Sequence, residues 1–197
     1  MTPDRYQRIQ SVLATRQIDL TVCMEEVHKP NNVSAIVRTA DAVGIHKVHA
    51  VWPDDKMRML SHTSAGARNW VELETHDTMV DAVQHLKSQG MQVLATNLSD
   101  TAIDFREVDY TKPTAIILGG EKNGITQEAL NLADQDIIIP MVGMVQSLNV
   151  SVASASFCMK HNASAKTQAC TTKQPPSYLT KWYTVFCLNA AIQYSPK

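Results

Sequence analysis

The segment from Ile137 to Ala155 has the pattern of a strand, then of a loop, then of a helix, and it constrains the fold more than any other stretch. Ile137 to Ile139 is β-branched, as expected of a buried parallel strand, and Pro140 ends it because proline cannot donate to a strand ladder. An apolar loop follows, in which Gly143 is free to take positive φ, and Ser147 can cap the helix after it. A strand, a loop and a capped helix indicate a small-ligand site; an ordinary buried strand and helix are the alternative.

Apolar runs alternate with amphipathic segments along the chain, a pattern that predicts an α/β fold with a parallel sheet. The predicted strands are 20–27, 47–52, 71–75, 91–96, 113–118 and 137–139. The predicted helices are one beginning at Pro3 with Thr2 as its cap, one capped by Asn31 or Asn32 and ending before Gly44, one over 78–88 followed by Gly90, and one over 127–133. No domain boundary appears before residue 155, so we expect residues 1–155 to form one domain with an N-terminal helix.

The composition is that of an ordinary globular protein of 197 residues, with 44% hydrophobic and 19% charged residues. No apolar run has the length of a membrane span, and the N-terminus lacks a signal-peptide pattern, which predicts a soluble cytoplasmic protein. The four cysteines, Cys23, Cys158, Cys170 and Cys187, show no C-x-x-C spacing. We therefore expect free thiols and neither a zinc site nor a disulfide framework.

The distribution of charge divides the chain in two. The net charge of −1 is not typical of a nucleic-acid-binding domain. Residues 1–155 contain 13 Lys and Arg against 19 Asp and Glu, whereas residues 156–197 contain five Lys, no Arg and no acidic residue. The last 42 residues therefore differ in composition from the rest of the chain.

Three loops at predicted strand ends, around Thr96, Gly119 and Met141, are expected to meet on one side of the sheet. Their backbone groups and small or apolar side chains suit an uncharged base and a thioether or sulfonium better than a triphosphate. Gly119 and Gly120 follow a strand, but the segment is neither G-x-G-x-x-G nor a P-loop, which argues against a nicotinamide oxidoreductase. The two glycines permit main-chain groups to approach a flat ligand such as adenine.

Three ordered segments resemble the three motifs of the SpoU class of RNA 2′-O-methyltransferases in the SPOUT superfamily. They are Asn32 to Ala40, Leu118 to Ile125, and Ile139 to Met141 with Ser147 to Ser151. The resemblance covers residues 2–155, and within the class it is to tRNA guanosine-2′-O-methyltransferases. It implies a parallel-sheet Rossmann-like core with a C-terminal deep trefoil knot, and 2′-O-methylation of a guanosine ribose in the D-loop of tRNA.

The resemblance also implies a cofactor, partners and roles for individual residues. The implied cofactor is S-adenosyl-L-methionine, and no metal is implied. Its expected contacts, mostly through main chain, are Thr96, Gly119, Gly120, Ile139 and Leu148. The expected catalytic group is Arg38, supported by Asn32, Glu121, Ser147 and Asn149. The implied partners are tRNA and a second copy of the chain, with no membrane and no DNA.

Arg38 lies off the apolar stripe of its predicted helix, and a surface ion pair is the alternative to a catalytic role. A guanidinium stays protonated, so it is a poor general base. We expect Arg38 to hold the phosphate next to the reacting hydroxyl, in its own site or that of a neighbouring subunit. Two other activities stay open: the same chemistry on ribosomal RNA, and RNA binding without catalysis.

The sequence beyond Ala155 predicts a tail that is out of frame with respect to the family. Where the family continues with a pattern like L-I-L-Y-E-A-Q-R-Q-R, this chain has Ser156 to Ala165. Allowed codons for Ser156 to Cys170, read from the third base, give I-L-Y-E-A-Q-R-Q-R-Q-N-A-G-M, and the codons of Thr184 to Lys197 also permit a family-like sequence in the shifted frame. Loss of one base in a Leu codon after Ala155 explains both, and predicts poor stability, weak dimerisation and little activity for the chain as written.

Overall fold

The computed structural model describes residues 2–52 and 69–169, with side chains described up to residue 164. The strands are β1 (Leu20–Glu25), β2 (Lys47–Val51), β3 (Glu72–His76), β4 (Gln92–Thr96), β5 (Ile103–Asp104), β6 (Thr114–Gly119) and β7 (Gln135–Ile138). The helices are α1 (Pro3–Ala14), α2 (Pro30–Val43), α3 (Met79–Ser88), α4 (Gln127–Leu132) and α5 (Val150–Ala169), with a 3-10 helix at Phe105–Glu107. α1 belongs to one compact unit, and residues 17–167 form the other.

The sheet has seven strands in the order β3-β2-β1-β6-β4-β7-β5. Every neighbouring pair is parallel, which confirms the predicted α/β fold. β6 lies in the middle, where it pairs with β1 on one side and β4 on the other. Its residues 114–118 are all buried, since a central parallel strand is covered on both faces.

Two apolar clusters cover the two faces of this sheet. Ile116 and Leu118 of β6 belong to the cluster that also contains Ile36 of α2 and Phe157 of α5. Ala115 and Ile117, the alternate residues of β6, belong to a second cluster with Ala82, Val83 and Leu86 of α3. Successive side chains of a strand point to opposite faces, so the continuous apolar run of β6 serves both clusters. In α3, Ala82, Val83 and Leu86 are fully buried and Met79 is buried as well, whereas Val80 is only half-buried.

The predicted helix ends are confirmed at most positions. Thr2 Oγ1 accepts a hydrogen bond from the backbone of Arg5, and Thr78 Oγ1 accepts one from the backbone of Asp81. Gly44 ends α2 in the left-handed region, with φ of 86°. The predicted cap of α2 is wrong: the helix begins at Pro30, which suits the first turn because its missing N–H has no helical partner, and Asn32 lies inside that turn.

The segment from Ile137 to Ala155 differs from its prediction in three respects. Ile137 is fully buried, but residues 138 and 139 are half-buried, because the outer neighbour of β7 is the two-residue strand β5, which the sequence pattern missed. Gly143 does not adopt positive φ. The cap of α5 is Asn149, whose Oδ1 accepts from the backbone of Ser151 at 2.9 Å, and not Ser147.

Two of the four cysteines, Cys23 and Cys158, are free and buried. Cys170 and Cys187 lie outside the described residues, as does most of the tail. Burial raises the pKa of both described thiols to about 12, so they stay protonated at neutral pH. Within residues 2–52 and 69–169, no helix is long and apolar enough to cross a membrane.

Candidate active site

The carboxyl ends of β6, β4 and β7 lie side by side, because these three parallel strands are neighbours in the sheet. Gly119 ends β6, Thr96 ends β4, and Ile139 follows β7 directly. All three residues are half-buried, so they remain partly accessible at this edge. The hydroxyl of Thr96 donates to the carbonyl of Ile117 at 2.9 Å, which ties β4 to β6 next to the edge. The edge therefore presents main-chain groups and small side chains, a lining that fits an uncharged base and a sulfonium.

A polar network joins one residue from each of the three sequence motifs. Asn32 Nδ2 donates to Glu121 Oε1 at 2.5 Å, and Asn149 Nδ2 donates to Asn32 Oδ1 at 3.2 Å. Asn32 is only 8% exposed, so its amide is held from both sides in a nearly dry position. The loop after β6 and the start of α5 are thereby fixed to the first turn of α2. Three segments that are distant in sequence thus meet at one point.

Lys29 completes this network from the residue before α2. Its ammonium forms an ion pair with Glu121 Oε2. The Lys29 hydrogen bond, with a further contribution from Asn32, holds the pKa of Glu121 below its ordinary value, so the carboxylate is charged at neutral pH. The sequence patterns did not single out Lys29, because a lysine in a polar loop has no periodicity or motif spacing to mark it.

Gly119 and Gly120 are required by the packing of the chain against itself. A Cβ on Gly119 would lie 2.3 Å from the carbonyl carbon of Gly124, and one on Gly120 would lie 2.6 Å from the carbonyl oxygen of Glu26. The Gly124 N–H also donates to the Gly120 carbonyl at 2.9 Å, which closes the loop containing Glu121. The sequence predicted that main-chain groups would approach a flat ligand at these glycines. The group that lies close to each glycine is instead the backbone of another part of the chain.

Glu25 and Thr126 form a second support for the same loop that sequence reasoning missed. Glu25, the last residue of β1, is 2% exposed, and its carboxylate accepts from the Thr126 backbone at 3.0 Å and the Thr126 hydroxyl at 2.6 Å. Thr126 in turn caps α4. The next residue, Glu26, has a φ of 50°, an uncommon conformation for a residue other than glycine. An acidic residue at the end of an apolar run was the available signal for this buried carboxylate.

The remaining predicted residues are placed nearby in sequence but are not joined to the network. Arg38 is exposed on α2 and makes no hydrogen bond or ion pair among the described residues. Six residues of helix separate it from Asn32, a rise of about 9 Å along the axis. Ser147 is exposed, and Leu148 is 37% exposed, both in the loop that leads into α5. The structure thus brings together Asn32, Glu121 and Asn149, and leaves Arg38 and Ser147 open to solvent.

Comparison with known proteins identifies the family. Residues 19–159 match the model of the SpoU rRNA Methylase family. Over 155 residues the chain is 70% identical to the tRNA (guanosine(18)-2′-O)-methyltransferase of Escherichia coli strain K12, a match that covers 79% of this chain and 68% of that protein.

Two solved structures extend the likeness to the fold. The A. aeolicus TrmH/SpoU tRNA modifying enzyme gives a TM-score of 0.82 at 34% identity, with 95% of this chain and 96% of that chain covered. The AdoMet-bound rRNA methyltransferase of Sinorhizobium meliloti gives a TM-score of 0.67 at 26% identity, with 77% and 59% covered. With its three motif residues joined at the sheet edge and its sequence matched from residue 19 to residue 159, the chain belongs to the SpoU rRNA methylase family.

Proposed function

We propose that the chain is an S-adenosyl-L-methionine-dependent methyltransferase that acts on the ribose 2′-hydroxyl of guanosine-18 in the D-loop of tRNA. The observation that carries the proposal is the network of Asn32, Glu121 and Asn149, which unites the three family motifs. The 70% identity to a relative named for this reaction supports the substrate. The relative with bound AdoMet supports the cofactor.

In this proposal the residues divide into two groups. Thr96, Gly119, Gly120, Ile139 and Leu148 hold the cofactor at the strand ends, mostly through main chain. When bound, the cofactor supplies a methyl group on a sulfonium leaving group. Asn32, Glu121 and Asn149 fix the geometry of α2 and α5, and Ser147 contributes a hydroxyl in the loop before α5. Positioning of the ribose hydroxyl is most of what such a transfer requires.

Arg38 has the role of a phosphate clamp. A guanidinium remains protonated at neutral pH, so it stabilises charge next to the 2′-hydroxyl and does not remove its proton. The proton then passes to the adjacent phosphate or to water. The exposure of Arg38 and its lack of a partner among the described residues support a role that is completed only when RNA binds.

The assembly in this proposal is a homodimer with the family's C-terminal trefoil knot, located in the cytoplasm and binding neither membrane nor DNA. Apolar side chains exposed before and within the start of α5 support an interface there: Val142 and Met144 are fully exposed, and Val152 is 51% exposed. Because uncovered apolar surface of this kind is unfavourable in water, a second copy would be stabilised by covering it.

The residues beyond Ala155 are proposed to be out of frame, so that the family domain is residues 1–155. Within residues 17–167, His161 is 0% exposed, and neither of its ring nitrogens has a hydrogen-bond partner among the described residues. The shifted frame gives an alanine at that position, which carries no polar group. A buried polar group without a partner costs about 1–3 kcal/mol, so the unpaired His161 supports the proposal.

The test is a methylation assay with tRNA and ribosomal RNA as competing substrates and labelled methyl groups. We expect label in tRNA, at guanosine-18, and none in a matched transcript with 2′-deoxyguanosine at that position, because the acceptor hydroxyl is missing. The assay should use the chain as written and a version with the missing base restored. Label only in ribosomal RNA would contradict the tRNA assignment, and absence of cofactor binding by calorimetry in both versions would contradict catalysis.

A further inference from the structure

A cluster of three histidines and one carboxylate lies at the β2–β3 edge of the sheet, on the face covered by α3. His49 is in β2, Glu74 and His76 are in β3, and His85 is in α3. The parallel register places His49 beside Glu74 and Val51 beside His76. Alternate residues of a strand share a face, so His49, Glu74 and His76 project toward the same side. None of these four residues belongs to the polar network of Asn32, Glu121 and Asn149.

The nitrogen and oxygen atoms of this cluster are close together. His49 Nδ1 lies 2.9 Å from His76 Nε2, and Glu74 Oε1 lies 3.9 Å from His76 Nε2 and 3.4 Å from His85 Nε2. Possible ligand atoms of His49, Glu74 and His76 all lie within 4.8 Å of one another. Around a tetrahedral zinc ion with bonds near 2.0 Å, ligand atoms are about 3.3 Å apart. The separations of 2.9, 3.4 and 3.9 Å differ from this value by about 0.1 to 0.6 Å, and those bounded only by the 4.8 Å limit differ by up to about 1.5 Å.

The surroundings keep these groups available as ligands. His49 is 1% exposed, and burial, with the nearby His76, lowers the pKa of His49 to about 4. Burial also lowers the pKa of His76. A metal binds the lone pair of a neutral imidazole. Each ring can keep its single proton on the nitrogen that faces away from the ion.

The carboxylate is held by a neighbour on its other oxygen. Lys47 Nζ lies 2.5 Å from Glu74 Oε2 and 3.2 Å from Glu72 Oε1, which leaves Glu74 Oε1 directed at the histidines. Outer partners of this kind orient the ligands of many metal sites. The set of three imidazoles and one carboxylate is one that zinc accepts readily, whereas calcium and magnesium prefer oxygen ligands alone.

We propose that His49, Glu74, His76 and His85 form a binding site for a zinc ion that ties β2, β3 and α3 together. The site is separate from the strand ends at which methyl transfer is proposed, and its function is structural. Sequence spacing did not reveal it, because the four ligands come from three elements: only Glu74 and His76 share a strand, whereas His49 lies in β2 and His85 in α3.

The experiment measures metal binding by the full chain after treatment with a chelator. Titration with cobalt, which replaces zinc and absorbs visible light in tetrahedral sites, should give visible bands without the thiolate charge-transfer bands of cysteine ligands. Addition of zinc should remove these bands and raise the thermal unfolding temperature, because the ion binds only the folded cluster. Absence of both visible bands and a thermal shift would overturn the proposal.

Variants locate the site. His76→Ala and Glu74→Gln should each weaken zinc affinity by about tenfold or more. His85→Gln should weaken zinc affinity to the same extent. Because the His85 side chain is 36% exposed, this variant should still fold. The matched control is His28→Ala, an exposed histidine in the loop after β1, which should leave zinc affinity unchanged. Equal affinity in wild type, His85→Gln and Glu74→Gln would place the metal elsewhere and would also overturn the proposal.

Discussion

Buried polar side chains near the carboxyl ends of the strands and the buried His161 of α5 satisfy their polar groups very differently. Asn32 and Glu25 are almost completely buried, and each makes two hydrogen bonds to side-chain or backbone partners. His161 is completely buried and makes none, and the hydroxyl of Tyr110, whose ring lies 5.6 Å from that of His161, also lacks a partner among the described residues.

This difference shows which buried polar side chains have hydrogen-bond partners in this fold and which do not. Buried polar groups in native proteins are nearly always hydrogen-bonded, so an unpaired one needs an explanation. Apolar complementarity alone is weaker evidence: Phe157 packs edge-on against Phe105 with ring centroids 5.4 Å apart, although it too follows Ala155. A large apolar residue fits many cavities, whereas an imidazole requires specific partners. The unpaired His161 therefore supports the proposed change of frame, whereas the neighbouring Asn162 does find a partner, the carbonyl of Val43 at 3.3 Å.

The largest effect is expected from restoring one base in the codon after Ala155. In the proposed frame, this change replaces the whole tail by a family-like sequence, and it removes the buried imidazole. We expect the unfolding temperature to rise by about 10 °C or more and the rate of methyl transfer to rise by about tenfold or more. Calorimetry and the tRNA methylation assay measure these changes.

The control for that experiment inserts a complete codon at the same place, which leaves the reading frame as written. It should produce neither gain. If the chain as written proves as stable and as active as the chain with the base restored, the unpaired His161 has no effect on folding or on methyl transfer.

Arg38→Ala tests whether the region around Asn32, near the carboxyl ends of the strands, contains residues that act in methyl transfer. We expect the rate of methyl transfer to fall by about a hundredfold or more, with S-adenosyl-L-methionine binding unchanged, because Arg38 lies outside the loops at the strand ends. The unfolding temperature should hardly change, since Arg38 has no partner among the described residues. Kinetics and calorimetry in the restored chain give both values, with the exposed Arg106→Ala as control. Loss of cofactor binding in a folded Arg38→Ala protein would refute this division of roles.

His161→Leu is expected to raise the free energy of unfolding of the chain as written by about 1–3 kcal/mol, because it removes two unpaired nitrogens at similar volume. Burial lowers the pKa of His161, so the folded state resists protonation. The unfolded state takes up a proton below the ordinary value of 6.5, and stability is therefore lost as the pH falls through that value. The variant should lose less stability between pH 7 and about pH 5 in denaturant titrations.

The control for this variant is His28→Leu, which replaces an exposed histidine. It should leave both the stability and its dependence on pH nearly unchanged. An unchanged or lower stability of His161→Leu would mean that His161 has partners that satisfy it.

Asn149→Ala is expected to lower the free energy of unfolding by about 0.5–2 kcal/mol and to reduce the rate of methyl transfer. It removes the cap of α5 and the bond to Asn32. Asn149→Asp keeps an oxygen for the cap but cannot donate to Asn32, so most of the stability should return while activity stays low. Chemical denaturation and the methylation assay separate the two functions; full activity of Asn149→Asp would show that the bond to Asn32 is dispensable.

Long apolar runs and capping residues made the central strands and most helices predictable. β6 and β4 begin within one residue of their predicted starts, because their apolar stretches are continuous. β5 was missed because two residues carry no periodicity. The start of α5 was misplaced because both Ser147 and Asn149 are good capping residues, and only the path of the chain decides between them.

The sequence singled out the motif residues Asn32, Glu121 and Asn149, but it revealed neither the residues that support their loops nor the histidine cluster. Glu25 and Thr126 lie 101 residues apart, and His49 and His76 lie 27 apart, so neither pair leaves a local signal. The expected reason for Gly120 also differs from the observed one, since its space is limited by the backbone of Glu26. Interactions that depend on which strands become neighbours cannot be read from spacing alone.

The polar network has a consequence for the order in which the protein folds. Asn32 and Glu121 are 89 residues apart, and Asn149 and Asn32 are 117 apart. Contacts of such long range form late, because each requires closure of a large loop. During synthesis the first motif therefore waits for nearly the whole domain to leave the ribosome. Among the described elements α5 emerges last; it completes the network, and it contains Ala155, after which the composition of the chain changes.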